Sequence, residues 1–221
     1  MSNRPNNSDI DQIIRAMMAS NVPACEAGSW SIRKMPSSRF EYDYLSRYYE
    51  VLPDGEYTFL HNMNAAYLGN DLGECVMEDT PHELRTHLDF ALKARGRVLI
   101  SGLGLGCVVR GVLCNQDVEE VVVLERDQRI LDSVLPHMPD DPRLKVEHEC
   151  ALRYASFNDR YDFAWHDIWS DPDKDEEPLP LLHTKLLMNH SGHVRRQGAW
   201  GMPRTFLAAF KRQSWWYTNP C

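Results

Sequence analysis

The stretch "RVLISGLGLGCVV", residues 97–109, limits the fold more than any other. An apolar run is followed by three glycines at alternate positions (Gly102, Gly104, Gly106) and then by more apolar residues. That order reads as a strand, a tight turn and a buried helix. In an open α/β sheet such a turn lies at the carboxyl ends of the strands, where ligands bind. Glycine lacks a Cβ and reaches positive φ, so a ligand can come close to the backbone. A dinucleotide turn, G-x-G-x-x-G, would need glycine at 107, which is Cys107. The G-x-G-x-G form suits a nucleoside thioether, which has no pyrophosphate to seat on the helix. The alternative is a turn chosen for packing alone.

The surroundings agree with a doubly wound sheet. "PHELRTHLDFALKA", from Pro81, has Leu84, Leu88 and Leu92 at helical spacing, with proline tolerated in the first turn. Beyond the glycines come a strand "VEEVVVLER", a helix "DQRILDSVLPHM", and strands "RLKVEH" and "YDFAWHDIW". Strands alternating with helices imply a Rossmann-like, mostly parallel sheet with helices on both faces. Residues 81–221 are expected to form that domain. Residues 30–80 are rich in Tyr and Phe, with turns at Asp54-Gly55, Gly69-Asn70 and Leu72-Gly73, and predict a small β-rich extension of hairpins. Residues 1–29 carry Ile10, Ile13, Ile14, Met17 and Met18 at helical spacing and predict an arm packed on the body.

The net charge of −8 gives no global attraction to phosphate backbones, so nucleic acid is not the default partner. No apolar run reaches the length of a membrane span, and the first residues lack the apolar block of a signal peptide. The six cysteines are scattered without a C-x-x-C pair, as for reduced thiols in a cytoplasmic protein. "SDPDKDEEPLP" reads as a solvated loop.

Three strand tips carry candidate ligand groups. Glu125 ends the second strand, 19 residues after Gly106, where a carboxylate can accept both hydroxyls of a ribose. The alternative is an exposed charge at a strand end. Glu149, Cys150 and Ala151 close the third strand at the height expected for contacts to adenine. Asp167 ends the fourth and should face the reacting end of the ligand, with His166 beside it as a candidate acid–base partner. Neighbours on a strand point to opposite faces, so the two are not expected to act on one atom while the strand continues. The alternative for Asp167 is a cap on the loop around Trp169 and Ser170, and for His166 a core position.

Taken together, "RVLISGLGLG", "VVVLERD", "DPRLKVEHECA" and "YDFAWHDIWSDP" resemble class I S-adenosylmethionine-dependent methyltransferases, most closely the spermidine-synthase-like branch. "GECVMEDTPHELRTH" also fits that branch, which has a β-rich N-terminal part and an acidic helix before the first strand. The resemblance implies S-adenosylmethionine as cofactor. Gly102, Gly104 and Gly106 would line its methionine and ribose side, Glu125 would hold the ribose, Glu149 and Cys150 would meet the adenine, and Asp167 would lie beside the sulfonium. Methyl transfer to an unidentified acceptor, expected to be a small molecule, is the leading reading. Aminopropyl transfer and a non-catalytic binding or assembly role are the alternatives.

The departures are specific. The branch often has aspartate where Cys150 stands, and tyrosine where Pro81 stands. Its second aspartate, three residues after the first, is replaced by Ser170. Only residues 205–221 follow "GAWGMPR", which is short for the usual last helix and strand pair, so the expectation is either a C-terminally truncated sheet or one completed by the tail "SWWYTNP" or by a second subunit. Trp215, Trp216 and Tyr217 point to a tail docked on the body or on a second subunit, which leaves a homo-oligomer open.

"HELRTH" resembles a zinc-binding H-E-x-x-H but places His82 and His87 five residues apart. That is about 140° around a helix, so no metal site is expected. Trp165 and Trp169 are expected as packing and site wall.

Overall fold

The computed structural model describes residues 7–36, 55–65, 73–154, 159–168 and 179–202. Five of its strands build the expected sheet: β5 (Gly96–Ser101), β6 (Val118–Glu125), β7 (Leu144–His148), β8 (Tyr161–His166) and β9 (Val194–Ala199). Their spatial order is β7-β6-β5-β8-β9, and every pairing is parallel. The chain order therefore reverses between β5 and β8, which is the switch point that opens a crevice at the carboxyl edge of such sheets.

The alternation within β5 explains the layering. Val98 and Ile100 turn to one core with Val121, Val123, Phe163 and Trp165; Leu99 turns to the other with Val122, Leu124 and Ala164. Strands buried on both faces read as continuous apolar runs, as these do. Helices α2 (Pro81–Lys93), α3 (Cys107–Leu113) and α4 (Gln128–Val134) cover the first face, and α5 (Leu179–His190) covers the second through Leu186 and Leu187.

Helix α2 starts where the sequence signals it. Thr80 caps the helix, its Oγ1 accepting the Glu83 N–H, with Pro81 in the first turn. Asp127 caps α4 by accepting the Arg129 N–H. Helix α5 and strand β9 were not marked in the sequence. "LPLLHTKLLMNH" is apolar without a clean stripe, and "VRRQGA" places two arginines in a six-residue strand.

The N-terminal part is a second, antiparallel sheet of β1 (Cys25–Ala27), β2 (Trp30–Pro36), β3 (Glu56–Asn62) and β4 (Glu74–Glu78) in that spatial order. The β1–β2 hairpin spans position 29/30, so the arm contributes a strand to the small sheet. Helix α1 (Asn7–Met17) packs Met17 onto Gly111 of α3, where an added Cβ would lie 2.8 Å from Met17 Cγ. The turns at Asp54-Gly55 and Gly69-Asn70, the loop from Trp169, and the tail with Trp215, Trp216 and Tyr217 fall wholly or partly outside the described residues. Among the described residues no helix is long and apolar enough to cross a membrane.

Candidate functional site

The crevice at the switch point is a cavity of about 290 Å³, at the small end of ligand pockets, which run from roughly 300 Å³ upward. Gly102, Gly104, Glu125, Glu149, Cys150 and Asp167 all line it. Ile100, Leu103, Val108, Leu124, Ile130 and Ile168 complete the sheet-side wall.

Glu125 is almost fully buried, at 8% exposure, and is already engaged. Its Oε2 accepts the Leu103 N–H at 2.9 Å and its Oε1 accepts the Asp127 N–H at 2.8 Å. The carboxylate thus pins the glycine turn to the second strand tip. A carboxylate offers about four lone-pair sites, so about two are left for a ligand.

Two of the glycines have a steric reason to be glycine that involves the protein itself. Gly102 has φ +92°, and a Cβ there would collide with the backbone carbonyl of Asp167. Gly104 has φ +51°, and a Cβ there would collide with the sulfur of Met77, which also takes the Leu105 N–H at 3.1 Å. The turn is therefore closely approached by protein atoms as well as open to the cavity. Gly106 corrects the expectation: it lies outside the cavity lining, at the start of α3, facing Met138 and Val134.

His166 is a second correction. It is fully buried and lies outside the cavity lining, with Nδ1 2.8 Å from Ser101 Oγ and Nε2 3.0 Å from Gln197 Oε1. An amide oxygen can only accept, so Nε2 carries the proton and Nδ1 accepts from the serine hydroxyl. Burial, and then the neighbouring His190, drive its pKa well below the ordinary histidine range. It is a neutral core residue, because alternation turned it away from the face that Asp167 reaches once the strand has ended. Trp165 is also fully buried, stacked on Phe90.

Asp167 lines the cavity with a side chain 15% exposed. Burial pushes its pKa up to about 6, against the pull of His87 and with a smaller push from Glu83. Such a carboxyl titrates where it can exchange protons near neutral pH.

The small sheet supplies the opposite wall, which sequence reasoning missed. Trp30, Leu60, Asn62, Val76 and Met77 line the cavity. The Trp30 Nε1–H donates to Asp127 Oδ2 at 2.7 Å, tying the β1–β2 hairpin to the start of α4. The guanidinium of Arg129 beside Asp127, and then the Trp30 bond, hold that carboxyl well below its usual range. A tryptophan next to a turn signal was the available clue, but nothing local says which surface a hairpin will cover.

Parts of the chain resemble solved methyltransferases and a spermidine synthase. No protein-family model matches it. A proposed RNA methyltransferase from Pyrococcus horikoshii is 17% identical over 57% of this chain and 61% of its own, with a TM-score of 0.42. Human methyltransferase-like protein 13, solved with SAH, is 19% identical over 50% of this chain and 56% of its own, at 0.38. Spermidine synthase from Thermotoga maritima is 22% identical over 53% and 44%, at 0.35. The chain spans less than two thirds of the length of each of these proteins.

Proposed function

We propose that the cavity binds S-adenosylmethionine and that the protein transfers its methyl group to an acceptor. The observation that carries this reading is the convergence of Gly102, Gly104, Glu125, Glu149, Cys150 and Asp167 on one crevice at the sheet's switch point. The residues fit such a ligand. Glu125 has acceptor capacity left for ribose hydroxyls, Leu152 and Ala151 offer apolar surface beside Cys150 for a base, and four carboxylates (Glu125, Asp127, Glu149, Asp167) make the wall acidic toward a cation. When bound, the cofactor supplies an electrophilic methyl carbon on a sulfonium.

The chain's own work is then positioning and proton handling. Trp30, Leu60, Val76 and Met77 wall the cavity on the small-sheet side and keep water from it there. The Asp167 carboxylate, titrating near 6, is ionised at neutral pH and can take the proton that a nitrogen acceptor releases. It is too weak a base to ionise an alcohol unaided.

One observation favours the second reading, aminopropyl transfer. Among the described residues that line the cavity, the one basic side chain is Arg126, beside Glu125 and not beside Asp167, where an amino-acid carboxylate would need a partner. Decarboxylated S-adenosylmethionine lacks that carboxylate. Calorimetry with S-adenosylhomocysteine, S-adenosylmethionine, its decarboxylated form and methylthioadenosine tests both. Tightest binding of the carboxylate-bearing pair supports methyl transfer; tightest binding of the decarboxylated form supports aminopropyl transfer. Binding of none rejects the cofactor site. The acceptor is to be sought among small amines, proteins and RNA.

A further inference from the structure

His87 has no solvent exposure, and its Nε2 faces two carboxylates at once. Glu83 Oε1, one turn back on α2, lies 3.2 Å away; Asp167 Oδ2, just beyond β8, lies 3.7 Å away. The ring meets Trp165 edge-on, with centroids 5.8 Å apart. Its other nitrogen, Nδ1, has no hydrogen-bond partner among the described residues. All the polar engagement of this buried ring therefore passes through one nitrogen, shared between a helix and the cavity wall. A single N–H cannot bond both oxygens at full strength, so the nearer Glu83 holds the hydrogen bond and Asp167 is held chiefly by charge.

We propose that His87 is the positioning residue for Asp167: it orients that carboxylate at the cavity wall and, in competition with Glu83, sets the protonation state that Asp167 presents to a ligand. The role in turnover rests on reading the cavity as the cofactor site, while the clamp itself rests on the geometry alone. A largely buried carboxyl without a positive neighbour takes up a proton and ceases to be a base. His87 is the only basic group contacting Asp167 among the described residues. The charged groups that face the ring are Glu83 from its own helix and Asp167 from the sheet edge; the buried thiol of Cys107, on α3, lies within the field of both carboxylates. Burial alone would lower the His87 pKa, but the bond to Glu83 and the charges of Asp167 and Glu83 outweigh it and leave the pKa raised. The clamp makes a signed statement. Loss of the imidazole and loss of its competitor must move Asp167 in opposite directions.

The experiment is carboxyl-carbon NMR on the full chain labelled with 13C-aspartate, the Asp167 resonance being assigned by its loss in Asp167→Asn. In the unsubstituted protein Asp167 should titrate near 6. In His87→Gln, which keeps a donor and removes the charge, the midpoint should rise above that value. In Glu83→Gln it should fall below, because a repelling charge is gone and the ring, still held protonated by the Asp167 charge, is released toward Asp167. A midpoint unmoved by His87→Gln, or moved the same way by both substitutions, overturns the proposal. If His87→Gln does not fold, Glu83→Gln decides alone, alongside the 15N shifts of His87, which must report an imidazolium at pH 6; a neutral ring there overturns it. Calorimetry with S-adenosylhomocysteine on the same samples keeps the two readings apart. No binding by the unsubstituted protein rejects the cofactor site and leaves the titration result standing.

Discussion

Glu125 and Leu103 are joined across the base of the cavity, the buried carboxylate accepting the Leu103 N–H at 2.9 Å while its other oxygen takes the Asp127 N–H at 2.8 Å. One side chain thus fastens the glycine turn to the next strand tip and still faces the crevice. The turn's structure and the proposed ligand binding draw on the same group, and substitution must separate them.

Glu125→Ala leaves the buried Leu103 amide and the half-buried Asp127 amide without partners, at a cost of up to about 1.5–3 kcal/mol for the first and less for the second, where water can compensate. Urea unfolding should show that loss. S-adenosylhomocysteine affinity should fall at least about tenfold beyond what turn loosening explains. Glu125→Gln has one acceptor oxygen and should sit between. If the alanine variant loses stability and keeps its affinity, Glu125 is a structural brace only.

Trp30 belongs to the small sheet yet lines the cavity, fixed through its indole N–H to Asp127. Ligand binding should change tryptophan emission, and Trp30→Phe should remove most of that change. Its affinity should also drop, since the hairpin loses its tie to α4. An emission change that persists in Trp30→Phe would place the ligand away from the small sheet.

Met77 and Gly104 form a coupled pair, because a Cβ at 104 would meet the thioether sulfur. Gly104→Ala should lose about 1–2 kcal/mol from the left-handed backbone alone, plus the displacement of Met77. Met77→Ala should relieve the second part. A double-mutant cycle read by thermal unfolding should be non-additive, and additivity would show that the clash is absorbed elsewhere.

The second core holds a set of neutral histidines. His190 Nε2 faces the Ala151 carbonyl at 3.0 Å and so donates; its Nδ1, 2.9 Å from His193 Nε2, must accept. His183 Nε2 donates to the Trp200 carbonyl. A proton added to His190 would set donor against donor. Burial pushes His183 and His190 down to about 4, and lowers His193 as well. The unfolded chain binds these protons first, so their stability contribution is complete above about 6.5 and is lost as pH falls toward about 4. Unfolding free energy should decline by on the order of a few kcal/mol over that window. A flat profile between pH 7 and pH 4.5 would contradict the buried, neutral assignment.

Much of the sheet was legible because its signals are local. The apolar runs of β5, β6 and β8, the glycine turn, the proline in the first turn of α2, and the acid at the tip of β6 each depend on residues within a few positions of one another. Strand β9 and helix α5 were not, since two arginines hide a short strand and an apolar helix lacks a stripe. His166 was offered as a partner for Asp167 and is instead bonded to Ser101 and Gln197 in the core.

By itself the sequence determined the order of strands and helices, the turn that opens the crevice, and the carboxylates at its edge. Backbone preference and side-chain period act over one or two turns of chain, so they can be read without the fold. Only the tertiary structure decided that His87, set aside with its helix as a poor metal pair, would meet Asp167 across eighty positions, and that Trp30 and Met77 would wall the cavity. Those meetings depend on how whole faces pack. The direction of a buried side chain is set by the competition of all its neighbours for the same space, and no short stretch of sequence contains that competition.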